Sequence, residues 1–260
     1  LREEGMELLL CENKRIPSVA ESLFVCTTDA KLLKALTCSL EYTHPLGRLM
    51  DIDVLDCSGA ILSRKELGLP QRQCFVCEEE AHLCARAQKH SYAELTLHIK
   101  HLVEKHAFDH SIALWCERAM KKEVELTPKP GLVDSANSGA HRDMDIHTFY
   151  TSIHAIKPFI RRFIQTAREN AQEEAKICFL RLREVGIACE KAMFDATKGV
   201  NTHKGMIFCL AVFCGALGRI HYNQESVTYQ SLHHTMQTLC YNLVEEDLVF
   251  LSEVDVHDAL

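Results

Sequence analysis

Two stretches in the second half of the chain hold the residue types best suited to handling a phosphate ester. The first is Thr127-Pro128-Lys129-Pro130-Gly131-Leu132-Val133-Asp134, followed by Asn137 and by Gly139-Ala140-His141-Arg142-Asp143-Met144-Asp145. Two prolines stiffen a loop around Lys129, and Gly131 lets the backbone approach a ligand closely. Lys129 offers a cation to phosphate, while Asp134, Asp143 and Asp145 offer carboxylates to Mg²⁺ or a base for proton transfer, with His141 beside them. A charged, solvated start of a helix would account for the acids but not for the stiff loop. The second stretch is Gly199-Val200-Asn201-Thr202-His203-Lys204-Gly205, which leads into an apolar run. Free amides and the dipole at a helix start bind phosphate, and Lys204 adds charge. The competing reading makes Asn201 or Thr202 a plain N-cap. The Gly-x4-Gly-Lys-Ser/Thr phosphate loop is absent. Upstream, Glu190 and Met193 share a helix face with Thr197.

The first half offers two further sets. In Arg48-Leu49-Met50-Asp51-Ile52-Asp53 a strand would turn Asp51 and Asp53 to one face. Such a pair suits Mg²⁺ carrying a ligand's phosphates, as in nucleotidyl transfer, with Arg48 on a phosphate. The alternative is a solvent-facing strand with two ordinary acids. Cys74-x2-Cys77-x6-Cys84-x5-His90 supplies a full set of four ligands for a structural Zn²⁺. The alternative is three small buried hydrophobes and a surface histidine.

These residues need elements to hold them. Leu8–Cys11 and Leu23–Cys26 have strand length and composition. Asp29 caps a helix from Ala30 to about Glu41, with Leu32, Leu33, Leu36 and Leu40 at helical spacing. Leu49–Leu55 alternates like a strand, Gly59 turns the chain, and Ala60-Ile61-Leu62 returns. Residues 63–90 are rich in turns. Ser91 and Glu94 form a capping box for a helix presenting Leu95, Ile99, Leu102, Val103 and His106. A break is expected near Phe108-Asp109. Beyond it the pattern predicts helices over 112–125, 149–164, 171–185, 186–197, 204–218 and 226–251, and no strand. Ile153, Ile156, Ile160 and Phe163 mark one apolar stripe. The fold class is thus an α+β amino-terminal domain followed by an all-α carboxy-terminal domain. Each is expected to be partial, because the chain opens at Leu1 in mid-domain and reads as a piece truncated at both ends.

Composition agrees with a soluble globular chain. Of 260 residues, 47 % are hydrophobic and 25 % charged. A formal net charge of -7 gives no general pull on nucleic acid or anionic lipid. The thirteen cysteines are spread along the chain, several inside apolar helical runs, as free thiols in a reducing cytoplasm would be. No signal peptide opens the chain. The apolar run Met206–Gly218 is too short to cross a bilayer, so a buried core helix is expected.

The order of the motifs carries a resemblance. His44-Pro-Leu-Gly-Arg-Leu-x-Asp51-x-Asp53-Val, Leu62-Ser63-Arg64-x-x-Leu-Gly-Leu-Pro70, Arg72-x-Cys74-x-x-Cys77, Cys84-Ala85-Arg86 and His90 resemble the holo-citrate-lyase synthase family over about residues 1–107. Thr127–Asp134, Gly139–Asp145, Phe149, Ser152, Glu190, Met193 and Gly199–Gly205 resemble the triphosphoribosyl-dephospho-CoA synthase family over about residues 111–222. The second resemblance implies a helical enzyme that joins ATP to 3′-dephospho-CoA and expels adenine. The first implies transfer of the product to a serine of the citrate lyase acyl carrier subunit, with pyrophosphate released. The expected domains are 1–107 and 108–260. Asp134, His141, Asp143, Asp145, Glu190 and His203 are the expected catalytic residues. Arg48, Lys129, Gly131, Asn201, Thr202, Lys204 and Gly205 would bind the nucleotide, and Asp51 and Asp53 would bind Mg²⁺. The competing readings are the equivalent malonate decarboxylase system, an inactive remnant that binds nucleotide or carrier, and a zinc-braced interaction module.

Overall fold

The computed structural model describes residues 7–16 and 19–243. The chain divides into two units, one up to His106 and one from Ala107.

The first unit opens with an antiparallel hairpin, β1 (Leu8–Ile16) and β2 (Val19–Cys26). Both strands extend beyond the apolar runs seen in the sequence, because Glu12, Asn13 and Lys14 pair across to Leu23, Ser22 and Glu21. Helix α1 (Ala30–Thr43) follows, and the Asp29 side chain accepts from the amides of Lys31 and Leu32 at 3.0 Å. Its orientation differs from expectation. Leu32 and Leu40 are 55 % and 43 % exposed, and the helix instead buries Lys34, Cys38 and Glu41. Charge pairing decides this. Glu41 accepts from Arg64, lies 3.4 Å from Arg72 and accepts from the Ile52 amide at 3.0 Å, and Lys34 donates to the Ile52 carbonyl at 3.1 Å.

The stretch expected as strand 49–55 is not one. A 3₁₀ turn at Gly47–Leu49 leads to an extended segment with one isolated bridge, Leu55 to Ile61. The chain does reverse at Asp56–Gly59, where the Asp56 carboxylate accepts from the Ser58 and Ala60 amides at 2.8 and 3.0 Å. Gly47 is required, because a Cβ there would meet the carbonyl oxygens of Leu40 and Glu41 at 2.5 Å. Helix α2 (Ala81–Arg86) is short.

Helix α3 runs without interruption from Tyr92 to Glu125, so the break expected near Phe108-Asp109 does not occur. Its 34 residues contain neither proline nor glycine, and nothing else in them forces a break. The Ser91–Glu94 capping box starts it: Glu94 accepts from the Ser91 amide at 2.7 Å and Ser91 Oγ accepts from the Glu94 amide at 3.2 Å.

In the second unit, α4 (Ile146–Glu169), α5 (Ala175–Ala196), α6 (Lys204–Tyr222) and α7 (Tyr229–Leu239) pack with the end of α3 around one apolar core. Among the described residues this unit has no strand. The α4 stripe Ile153, Ile156, Ile160 and Phe163 is fully buried. The two helices expected over 171–197 are the single α5, because the lone Gly186 does not break it. Helix α6 is four residues longer than expected, reaching Tyr222, and among the described residues it alone is long and apolar enough to cross a membrane. It is the core helix, with Ile207, Cys214, Ala216, Leu217 and Ile220 buried. A Cβ on Gly218 would collide with the Ile164 carbonyl oxygen of α4, so that glycine sets the approach of the two helices. The expected helix 226–251 is shorter: α7 starts after Thr228 and ends at Leu239, where the chain turns through Cys240 and left-handed Asn242 (φ 58°); the expected end lies outside the described residues.

Candidate functional site

Each unit has its own cluster of chemical groups. In the second unit the centre is His203, the residue just before α6. Its imidazole is 5 % exposed. Nδ1 lies 2.7 Å from Ser152 Oγ on α4, and Ser152 accepts from Thr202 Oγ1, also at 2.7 Å. The direction of the Ser152–Nδ1 bond is set by the ring tautomer, since the serine oxygen can accept a second hydrogen bond as well as donate its own. Nε2 is buried and has no partner. Phe149 packs edge-on to the ring at 5.0 Å, and the Met193 sulfur accepts from the His203 amide at 3.4 Å. Burial pushes the imidazole down to about 4, against a weaker upward pull from the Glu123 carboxylate. His203 is thus neutral near pH 7.

At the start of α6 the Lys204 amide is taken by Asn201 Oδ1 at 3.3 Å, and His203 supplies no side-chain cap. Asn201 Oδ1 thus serves as a local cap and the Thr202 hydroxyl serves Ser152, while the Asn201 side-chain N–H groups stay exposed. The Gly205 and Met206 amides remain as first-turn donors. Lys204 is exposed, with Nζ 3.8 Å from Glu190 of α5. Helix α5 ends in left-handed backbone at Lys198 (φ 56°) and Gly199 (φ 88°), which turns the chain into this loop.

The proline-rich loop is pinned from within. Asp134 is 4 % exposed and accepts from the amides of Lys129, Ala136 and Asn137 at 3.1, 2.8 and 2.9 Å. Those amides, Lys129's first, hold its carboxyl below the usual range. Asp145 caps α4 through the Thr148 amide at 2.8 Å and forms a capping box with it; that amide also holds its carboxyl down. Two of the three expected acids thus also hold local structure, Asp134 buried among loop amides and Asp145 exposed with Oδ1 on Thr148. Asp143 is exposed, and His141 is half-buried. Lys129 reaches back to the end of α3, donating to the Glu123 carbonyl and carboxylate at 2.7 and 3.0 Å. Gly131 (φ 79°) and Gly139 (φ 59°) adopt left-handed backbone. A Cβ on Gly139 would meet the Leu132 carbonyl at 2.5 Å. Glu123, whose charge reaches His203, had no motif to mark it in the sequence.

In the first unit, Asp51 and Asp53 line one cleft of about 320 Å³ together with Lys34, Glu41, Arg64, Lys65 and Arg72. Arg72 bonds Asp51 at 2.9 Å and also the Met50 carbonyl. The exposed carboxylates in a cleft with several cations suit a hydrated hard cation bridging to phosphates. Arg48 stands apart from the cleft lining, its guanidinium over the Phe75 ring at 5.9 Å and Nη2 buried without a partner. The cations lining the cleft are Lys34, Arg64, Lys65 and Arg72. Arg64 and Arg72 lay within recognisable motifs, whereas Lys34 and Glu41 carried no signal on a leucine-rich helix. Cys74, Cys77, Cys84 and His90 gather their ligand atoms within 4.8 Å of one another. All thirteen cysteines are unpaired.

Comparison with known proteins gives two family matches in tandem. Residues 109–258 match the family model described as ATP:dephospho-CoA triphosphoribosyl transferase, and residues 1–106 match the one described as apo-citrate lyase phosphoribosyl-dephospho-CoA transferase. The first match runs well past residue 222, where motifs end in the sequence. The chain is 40 % identical to Protein CitXG of Haemophilus influenzae over 220 residues, covering 85 % of this chain and 47 % of that protein. It is 34 % identical to Protein CitXG of Leuconostoc mesenteroides subsp. cremoris over 239 residues, covering 86 % and 50 %. It is 49 % identical over 130 residues to a probable 2-(5''-triphosphoribosyl)-3'-dephosphocoenzyme-A synthase of Vibrio cholerae, covering 50 % and 42 %. The chain spans about half the length of these curated relatives.

Proposed function

The chain belongs to the ATP:dephospho-CoA triphosphoribosyl transferase family, and on that premise we propose that it comes from a bifunctional transferase that builds and attaches the prosthetic group of citrate lyase. Residues 108–260 would join ATP to 3′-dephospho-CoA, and residues 1–107 would transfer the product to the acyl carrier subunit. The tandem order of the two family matches carries this reading. The first activity makes what the second consumes.

In the synthase step a ribose hydroxyl of dephospho-CoA attacks the anomeric carbon of the ATP ribose. The bond to adenine breaks, adenine leaves with the electron pair, and the hydroxyl proton ends on adenine. Such a displacement builds positive charge on the sugar. His203, neutral, would offer its unpartnered Nε2 to a polar atom of the nucleotide. The Gly205 and Met206 amides, with Lys204 and Lys129, would hold the triphosphate. Asp143, exposed, would serve as the base or hold Mg²⁺, with His141 on the same loop and Glu190 near Lys204.

In the transfer step the carrier serine hydroxyl attacks the α-phosphorus and pyrophosphate leaves. Lys34, Arg64, Lys65 and Arg72 would hold the phosphates. Asp51 and Asp53 would hold Mg²⁺, which when bound would neutralise the departing pyrophosphate. The Cys74–His90 cluster would hold Zn²⁺ away from this chemistry. A negatively charged chain of free thiols fits a cytoplasmic enzyme without nucleic-acid or membrane partners.

The test is incubation with ATP, dephospho-CoA, Mg²⁺ and apo acyl carrier subunit. Adenine release reports the helical unit, and the mass gain of the carrier reports the other. If the full-length gene product gives neither signal, the reading fails.

A further inference from the structure

We infer that Cys74, Cys77, Cys84 and His90 form a closed four-coordinate zinc site, and that zinc there fixes Arg72 in the cleft of the first unit. A tetrahedral ion with Zn–S near 2.3 Å and Zn–N near 2.0 Å sets sulfurs ~3.8 Å apart and sulfur to nitrogen ~3.6 Å. Cys77 Sγ and Cys84 Sγ are 4.0 Å apart, and His90 Nε2 is 3.3 Å from Cys77 Sγ. All four ligand atoms lie within 4.8 Å of one another, with Cys74 and Cys84 buried. The Val76 amide points at Cys74 Sγ at 3.5 Å, the kind of outer hydrogen bond that steadies a metal thiolate. Four protein ligands leave no open position, so the site is structural.

The first unit needs such a brace. Among its described residues only Cys38, Val54, Cys74 and Cys84 form a buried apolar set, and two of these are ligands. A core that thin gives little hydrophobic stabilisation, the usual setting for a structural metal. The ligands also close a hairpin. The Cys74 amide donates to the Glu79 carbonyl and the Ala81 amide to the Arg72 carbonyl, both at 2.7 Å. Arg72 is the base of that hairpin, two residues before the first ligand, and its side chain reaches Asp51, Met50 and Glu41. Binding releases the thiol protons to solvent and couples the hairpin to the metal. The consequence for Arg72 rests on the transferase reading, whereas the metal site itself does not.

The experiment is metal analysis of the untagged full chain, then Co²⁺ added to the stripped protein. One zinc per chain, and the visible absorption of tetrahedral thiolate-bound Co²⁺ that Zn²⁺ bleaches, are the expected results. Zinc below about a tenth of an equivalent with no such band overturns the site. Cys77→Ser should abolish the band; where that variant fails to fold, His90→Cys should keep the metal and shift the band toward an all-sulfur spectrum. Binding of inorganic pyrophosphate should weaken at least tenfold on stripping and in Arg72→Ala. Unchanged binding on stripping overturns the link to Arg72, while no pyrophosphate binding in any form overturns the transferase reading of the cleft.

Discussion

Ser152 Oγ on α4 lies 2.7 Å from His203 Nδ1, and this contact fixes the orientation of the buried imidazole. Ser152→Ala removes the partner of Nδ1 and frees the ring to turn. A lost buried hydrogen bond costs about 1–3 kcal/mol. The rate of adenine release should therefore fall by roughly tenfold to a hundredfold, by transition-state arithmetic, with KM for ATP little changed. Steady-state kinetics checks this, and Ser152→Thr, which keeps the hydroxyl, should recover part of the rate. An equal loss in both variants would point to packing instead.

The same burial makes the helical unit sensitive to acid. His203 titrates near 4 in the folded chain and near 6.5 as an ordinary histidine. Between those values the unfolded chain takes up a proton that the folded chain refuses. Stability from this group is thus complete above pH 6.5, declines as pH falls toward 4, and levels off below. The loss is ~3 kcal/mol at most. Urea denaturation of the wild type and of His203→Gln at pH 7 and pH 5 should show a smaller difference in the variant.

Asp134 and Asp143 should part company when neutralised. Asp134→Ala leaves three loop amides without their acceptor. It should lower stability by about 1–3 kcal/mol and open residues 127–141 to proteolysis. Asp143→Ala should leave the melting temperature unchanged and reduce turnover.

Gly218→Ala adds a methyl group where α6 meets the Ile164 carbonyl and the Ala167 side chain of α4. Overpacking of this kind costs about 1–3 kcal/mol. Thermal unfolding measures it. Gly205→Ala at the start of the same helix, with nothing within 4 Å of the new Cβ, should melt like the wild type.

How far these sites could be read in the sequence depended on whether local pattern or long-range pairing set the structure. The stripe from Ile153 to Phe163 and the caps at Asp29 and Ser91 were legible because helical spacing and capping chemistry are local. The orientation of α1 was not. Its leucines suggested one buried face, while Lys34 and Glu41 are held inside by Ile52, Arg64 and Arg72, which lie at least 11 residues away in sequence. The loop acids show the same division. Asp134, Asp143 and Asp145 look alike in sequence, and only the structure shows that Asp134 is buried among amides while Asp143 and Asp145 are exposed. Ser152 was visible as part of a motif, but its tie to His203 spans 51 residues and has no local signature.

Helix α3 bears on how the two units can be taken apart. The family matches end at residue 106 and resume at 109, a place where a gene would naturally be divided. Those residues lie mid-helix, between Tyr92 and Glu125. A cut there would expose the carbonyls of one new end and the amides of the other, each end losing the partners of about four peptide groups. Dissection should instead keep α3 whole on both pieces, so that the overlapping residues 92–125 are expressed twice.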